Sequence, residues 1–191
     1  MRKVPFLLLA ATLVACTGGA PARPDAPGPG TLPNVPVASV DLERYAGTWY
    51  EQARLPMYFQ RKCASDTTAN YELNADGTVA VVNRCRREDG GLQEAEGIAR
   101  MVDGRTSTLE VRFAPAWLSW LPAVWGDYWV IALDEADYQW AMVGAPKADY
   151  LWILSRSPRL DPAVLEDLLA QARAMGYPVD RVLTTPQSGE R

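Results

Sequence analysis

The chain contains no histidine, so it lacks both the usual general base near neutral pH and the commonest metal ligand. Basic residues are outnumbered: 19 Lys and Arg stand against 23 Asp and Glu, a net charge of −4. That balance excludes the basic surface that a phosphate backbone requires, and no nucleic-acid partner is expected. Long apolar runs are missing too. The longest, Val4 to Ala15, falls short of the roughly 20 apolar residues that a spanning helix needs. Cysteines number three and phenylalanines three, while Trp and Tyr are plentiful at seven and eight. Those rings suit a core, or the wall of a pocket. The length of 191 residues suits one domain large enough to bury a real core.

The start, "MRKVPFLLLAATLVAC", has a basic opening at Arg2 and Lys3 followed by the short apolar run. It reads as a signal peptide over residues 1–15. Its end, Leu13-Val14-Ala15-Cys16, resembles the lipobox of bacterial lipoprotein precursors, in which the signal is cut before a lipidated Cys. By that resemblance Cys16 carries acyl chains and anchors the protein in a membrane. Thr17 follows it, and the bacterial sorting rule then implies the outer membrane of a Gram-negative cell, on the periplasmic face. A chance Cys after an ordinary secretory signal is the alternative. Residues 16–39 are rich in Pro, Gly and Ala and read as a tether reaching roughly 70 Å at most, or as a leader without a spacing role.

With Cys16 set aside, Cys63 and Cys85 remain as an even pair in an oxidising compartment. Between them, "YELNADGTVAVVN" places Asn74, Asp76 and Gly77 between two alternating runs, the pattern of a hairpin. The hairpin brings the two thiols together. A bridge there would be worth roughly 3 kcal/mol on the chain-entropy model; two free thiols are the alternative.

Period-two runs recur: "TWYEQA", "TANYELN", "TVAVVNR", "LQEAEGIARMV", "STLEVRF", "DYWVIALD", "YQWAMVG" and "YLWILSRS". Short turns rich in Asp and Gly join most of them, so the strands are consecutive and antiparallel. Eight such strands can close into an up-and-down barrel whose interior takes side chains or one small ligand. In "STLEVRF", Leu109, Val111 and Phe113 share one face, opposite Glu110 and Arg112. An apolar face with a few polar atoms suits a ligand pocket and a plain core alike. Glu51 shares the parity of Trp49 and would point inward, where a carboxylate needs a partner. After the strands, Asp161 and Pro162 open an amphipathic helix that Gly176 stops, predicted to pack outside the sheet. "PVDRVLTT" could add a short final strand.

The all-β pattern, the late helix and the motifs "YAGTWYEQARLP", "NYELNADGTVAVVN", "WVIALD" and "YLWILSRSP" together resemble the lipocalin family. The likeness is to its bacterial outer-membrane lipoprotein members, with the apolipoprotein D type related. It covers residues 40–185, leaving 186–191 as a tail. "EADYQWAMV" fits a second family signature, with Ala136 where Thr is usual. The resemblance implies an eight-stranded antiparallel up-and-down barrel with one C-terminal helix outside. It makes Gly47, Trp49 and Arg156 a structural signature, with Trp49 plugging the closed end beneath Arg156. It implies Tyr71, Asn83, Phe113, Trp129, Trp152 and Leu154 as ligand-lining positions, each of which could equally be core.

With that orientation both remaining cysteines lie near the open end. So does the loop "APAWLSWLPAVWG", whose Trp117, Trp120 and Trp125 could meet a membrane or fold down as a lid. The expected function is binding, carrying or storing fatty acids or lysophospholipids in the cell envelope. The other expectation is a structural lipoprotein whose barrel is filled by its own side chains. Catalysis is not expected, because there is no His and the thiols are paired. No cofactor or metal is implied. The expected partners are the small hydrophobic ligand and the membrane, with a homodimer open.

Overall fold

The computed structural model describes residues 28–188; Cys16 and the signal segment lie outside the described residues. The alternating runs form β1 (Gly47–Arg54), β2 (Cys63–Leu73), β3 (Val79–Arg87), β4 (Leu92–Val102), β5 (Arg105–Arg112), β6 (Gly126–Leu133), β7 (Trp140–Gly144) and β8 (Leu151–Ser155). Each pairs antiparallel with the next, and β1 pairs with both β2 and β8, so the sheet closes into an eight-stranded barrel. Closure leaves no long unpaired strand edge. The β2–β3 hairpin turns where the sequence placed it: Asn74 N donates to Thr78 O at 2.8 Å, and Asp76 Oδ1 accepts from Thr78 N at 2.9 Å. Cys63 and Cys85 are joined as a disulfide, with Cα atoms 5.5 Å apart.

One end of the barrel is plugged. Asp41 caps α1 (Leu42–Tyr45) by accepting from the backbone N–H of Glu43 and Arg44. The short helix sets Tyr45 into the barrel end, where Trp49 Nε1 donates to Tyr45 O at 2.8 Å. The Arg156 guanidinium lies 4.0 Å above the Trp49 ring, and its N–H groups donate to Thr48 O and Arg44 O. Gly47 sits at φ +92°, a conformation a side chain would strain, and this lets the chain swing from α1 into β1 under that guanidinium. The turn before β7 lacks its usual Thr. In that turn Asp134 Oδ2 accepts from Gln139 N at 3.1 Å.

Outside the barrel, α2 (Pro162–Ala174) starts at Asp161, whose carboxylate accepts from Ala163 N at 2.8 Å. Its stripe of Leu168, Ala172, Val164 and Leu165 packs on Ala53, Ile131, Met142 and Ile153 of the wall. This apolar layer is distinct from the one inside the barrel.

Two seams depart from the sequence expectation. The β1–β2 pairing runs only from Gly47 to Tyr50. Beyond it, β9 (Leu183–Thr184) takes the free edge of β1. Thr185 N then donates to Gln52 O at 2.9 Å and Asp66 N to Pro186 O at 2.8 Å. Residues 186–188, expected as tail, are therefore part of the wall. Likewise residues 32–39, expected as tether, are docked: Leu32 N donates to Ala174 O and Val37 N to Val130 O, both at 2.9 Å. At the β1–β2 seam the diverging strands leave backbone groups that must be satisfied, and the extended C-terminal segment supplies the partners.

Candidate functional site

Inside the barrel lies a cavity of about 580 Å³, within the range of small-molecule sites. An interior filled by the protein's own side chains does not match a space of this size. The floor is built from Tyr71, Val79, Ala99 and Leu109, and the wall rises through Val81, Val111 and Leu154. Of the positions the resemblance implied, Tyr71, Asn83, Phe113, Trp152 and Leu154 line this space.

Trp129 does not. It belongs to the layer beneath α2, and its neighbour Tyr128 faces the cavity instead. Adjacent aromatics at 128 and 129 satisfy either parity, and β6 also shifts register between Val130 and Ala132. Tyr128 joins the floor as the centre of a hydroxyl chain: its Oη lies 2.9 Å from those of Tyr45 and Tyr71. Burial pushes the Tyr71 hydroxyl up to about 12 and those of Tyr45 and Tyr128 well above their ordinary value.

This has an alkaline consequence. The folded state holds these protons more tightly than the unfolded chain, whose tyrosines titrate near about 10. Their contribution is therefore complete below about pH 10 and is lost as pH rises through their folded values, about 12 for Tyr71. Thermal unfolding followed across that window should show the melting temperature falling steeply, with tyrosinate absorbance from the three appearing only as the barrel opens. Ionisation of all eight tyrosines near the ordinary value with the fold intact would contradict the buried chain.

Above the floor, Glu51 is inward and only 2% exposed. Its oxygens accept from Gln60 Nε2 at 2.8 Å and from Thr185 Oγ1 at 2.5 Å, and Arg54 Nε pairs with it at 3.2 Å. Burial raises the Glu51 carboxyl, against the lowering action of Thr185, Gln60 and Arg54. Gln60 also accepts from Trp152 Nε1 at 2.9 Å, tying the loop after β1 to β8. Thr67, level with this group, also faces the cavity. Its parity with Ala69 and Tyr71 was available in the sequence; the roles of Gln60 and Thr185 were not, since both lie outside the alternating runs.

At the open end, Tyr150 stacks on Trp152 with ring centroids 6.0 Å apart, and Phe59 lies 6.2 Å from Tyr150. The three tryptophans of the β5–β6 loop separate. Trp117 and Trp120 are each 74% exposed. Trp125 instead lies under the Arg100 guanidinium at 3.9 Å, its Nε1 donating to Ser119 O. It reaches the cavity rim together with Ala123 and Val124. The loop thus has a face turned to the cavity and two indoles turned to solvent.

A closed antiparallel barrel with a plugged base, an outer helix and an open apolar chamber defines a ligand-cavity barrel protein. The chain belongs to the lipocalin-like family: the model of the Lipocalin-like domain matches residues 40–187. It is 41% identical over 155 residues to temperature-induced lipocalin-1 of Arabidopsis thaliana, covering 80% of this chain and 82% of that protein. It is 36% identical over 194 aligned positions to outer membrane lipoprotein Blc of Escherichia coli (strain K12), covering 99% of both. Among solved structures, insecticyanin from the tobacco hornworm Manduca sexta matches with a TM-score of 0.61 at 22% identity, over 82% of this chain and 86% of that one. That likeness concerns the fold.

Proposed function

We propose that this protein is a membrane-anchored carrier or store of single-chain lipids in the bacterial cell envelope. It is held through lipidated Cys16 at the periplasmic face of the outer membrane and is not an enzyme. The observation that carries this reading is the cavity of about 580 Å³. Its floor and most of its wall are apolar, as an acyl chain requires. The full-length likeness to an outer membrane lipoprotein supports the location. The solvent-facing indoles of Trp117 and Trp120, beside the cavity opening, suit a site that exchanges lipid with a membrane.

The test is native mass spectrometry of the purified domain, followed by titration with fatty acids and lysophospholipids. Co-purifying acyl species and saturable binding are expected. Val81→Phe projects into the chamber and should lower affinity about tenfold or more while the fold persists. A barrel that binds no acyl chain, or a Val81→Phe variant that binds as well as the parent, would overturn the reading.

A further inference from the structure

Polar residues of the cavity lining include Gln60, Thr68, Gln93 and Asp127, and three more form a band across adjacent strands. Glu51 on β1, Thr67 on β2 and Asn83 on β3 share it. Gln187 Nε2 fixes the first two side by side, donating to Glu51 O at 2.7 Å and to Thr67 O at 3.0 Å. Asn83 pairs with Ala69, one inward-facing position along β2 from Thr67. Thr67 is only 5% exposed. Its Oγ1, and the Oδ1 of Asn83, are buried without a hydrogen-bond partner among the described residues.

Buried polar atoms in native proteins are nearly always satisfied, and two orphans on residues that line one chamber call for a polar ligand group there, which rotation of the Thr67 and Asn83 side chains would meet. The charge of the chamber narrows that group. Among the described residues around the cavity the basic one is Arg84, and it pairs with Glu94 at 2.6 Å with its side chain half exposed. Arg54 is committed to Glu51. A ligand carboxylate in the band would meet the Glu51 carboxylate with no cation to spare. A hydroxyl meets no such repulsion: it can donate to Asn83 Oδ1 or Glu51 and accept from Thr67 Oγ1.

We propose that Glu51, Thr67 and Asn83 form a head-group subsite for a hydrogen-bond donor. The cavity then selects single-chain lipids with hydroxyl heads over fatty-acid carboxylates of equal chain length. This rests on the reading of the cavity as a lipid site and adds to it the chemistry of the head.

The experiment is displacement of a fluorescent acyl probe from the purified domain by monopalmitoylglycerol and by palmitate at neutral pH. Monopalmitoylglycerol should bind about tenfold more tightly or better, the effect of one hydrogen bond to a charged partner. Glu51→Gln frees the Arg54 guanidinium, so the preference should collapse or invert toward palmitate. Thr67→Val with Asn83→Leu leaves the ion pair intact and serves if Glu51→Gln fails to fold. It should weaken monopalmitoylglycerol about tenfold and leave palmitate unchanged. Equal affinities in the parent protein, or a preference untouched by the Thr67 and Asn83 changes, would overturn the subsite while leaving the lipid cavity standing. Binding of neither lipid would overturn both.

Discussion

Trp49→Ala is expected to destabilise the barrel by about 3–5 kcal/mol, the cost of emptying a large buried site. Trp49 is fully buried at 0% exposure. Beneath it the Tyr45 carbonyl would lose its indole donor, and above it the Arg156 guanidinium would lose its ring. The cation–π contact alone is worth about 0.5–2 kcal/mol. The loss should be read as a lowered urea midpoint with the slope unchanged. Trp49→Phe keeps a ring under Arg156 and should cost markedly less. A shift of less than about 1 kcal/mol for Trp49→Ala would mean that the plug does not hold the closed end. The same variant opens the floor, so any acyl-chain affinity should fall alongside stability.

Arg54→Met is the second large effect. Arg54 is 7% exposed and Glu51 2%. Removing the guanidinium leaves a carboxylate in the wall with only neutral donors, and breaking a buried pair in this way costs about 3–5 kcal/mol. Gln60 and Thr185 remain as partners and hold the loss toward the lower figure.

The sign with pH follows from the raised Glu51 carboxyl. A carboxyl that holds its proton more tightly in the fold than in the unfolded chain favours folding below the unfolded value. That advantage is lost as pH rises through the folded value. Arg54→Met should therefore be least harmful in acid and worst at neutral pH and above, by denaturant unfolding across that range. The double variant Glu51→Gln Arg54→Met should recover most of the stability, because it removes the charge along with its partner. A double variant as unstable as the single one would show that Arg54 acts through packing.

The fold was open to sequence reading because its determinants are local. Alternation in "STLEVRF", the Asn-Ala-Asp-Gly turn and the Asp161-Pro162 helix start each act within a few residues, and all of them stand in the structure. The pairing of Cys63 with Cys85 followed because one hairpin carries both. Reading failed where local pattern is degenerate or irrelevant. Tyr128 and Trp129 are neighbours of like chemistry, so period two could not say which ring turns inward. Residues 32–39 and 186–188 have no period at all, and their docking depends on backbone partners far away in the chain.

Strand alternation and turn residues alone dictate consecutive antiparallel strands with one apolar face, because side-chain direction along a strand is a property of the backbone pleat. They do not dictate which polar atoms end up together within the closed barrel. Glu51, Gln60, Thr185 and Gln187 meet across as many as 136 positions of sequence. Only closure of the sheet brings them to one height and removes the water that would otherwise have satisfied them. The size of the chamber is decided the same way, by how far apart closure holds the opposing walls.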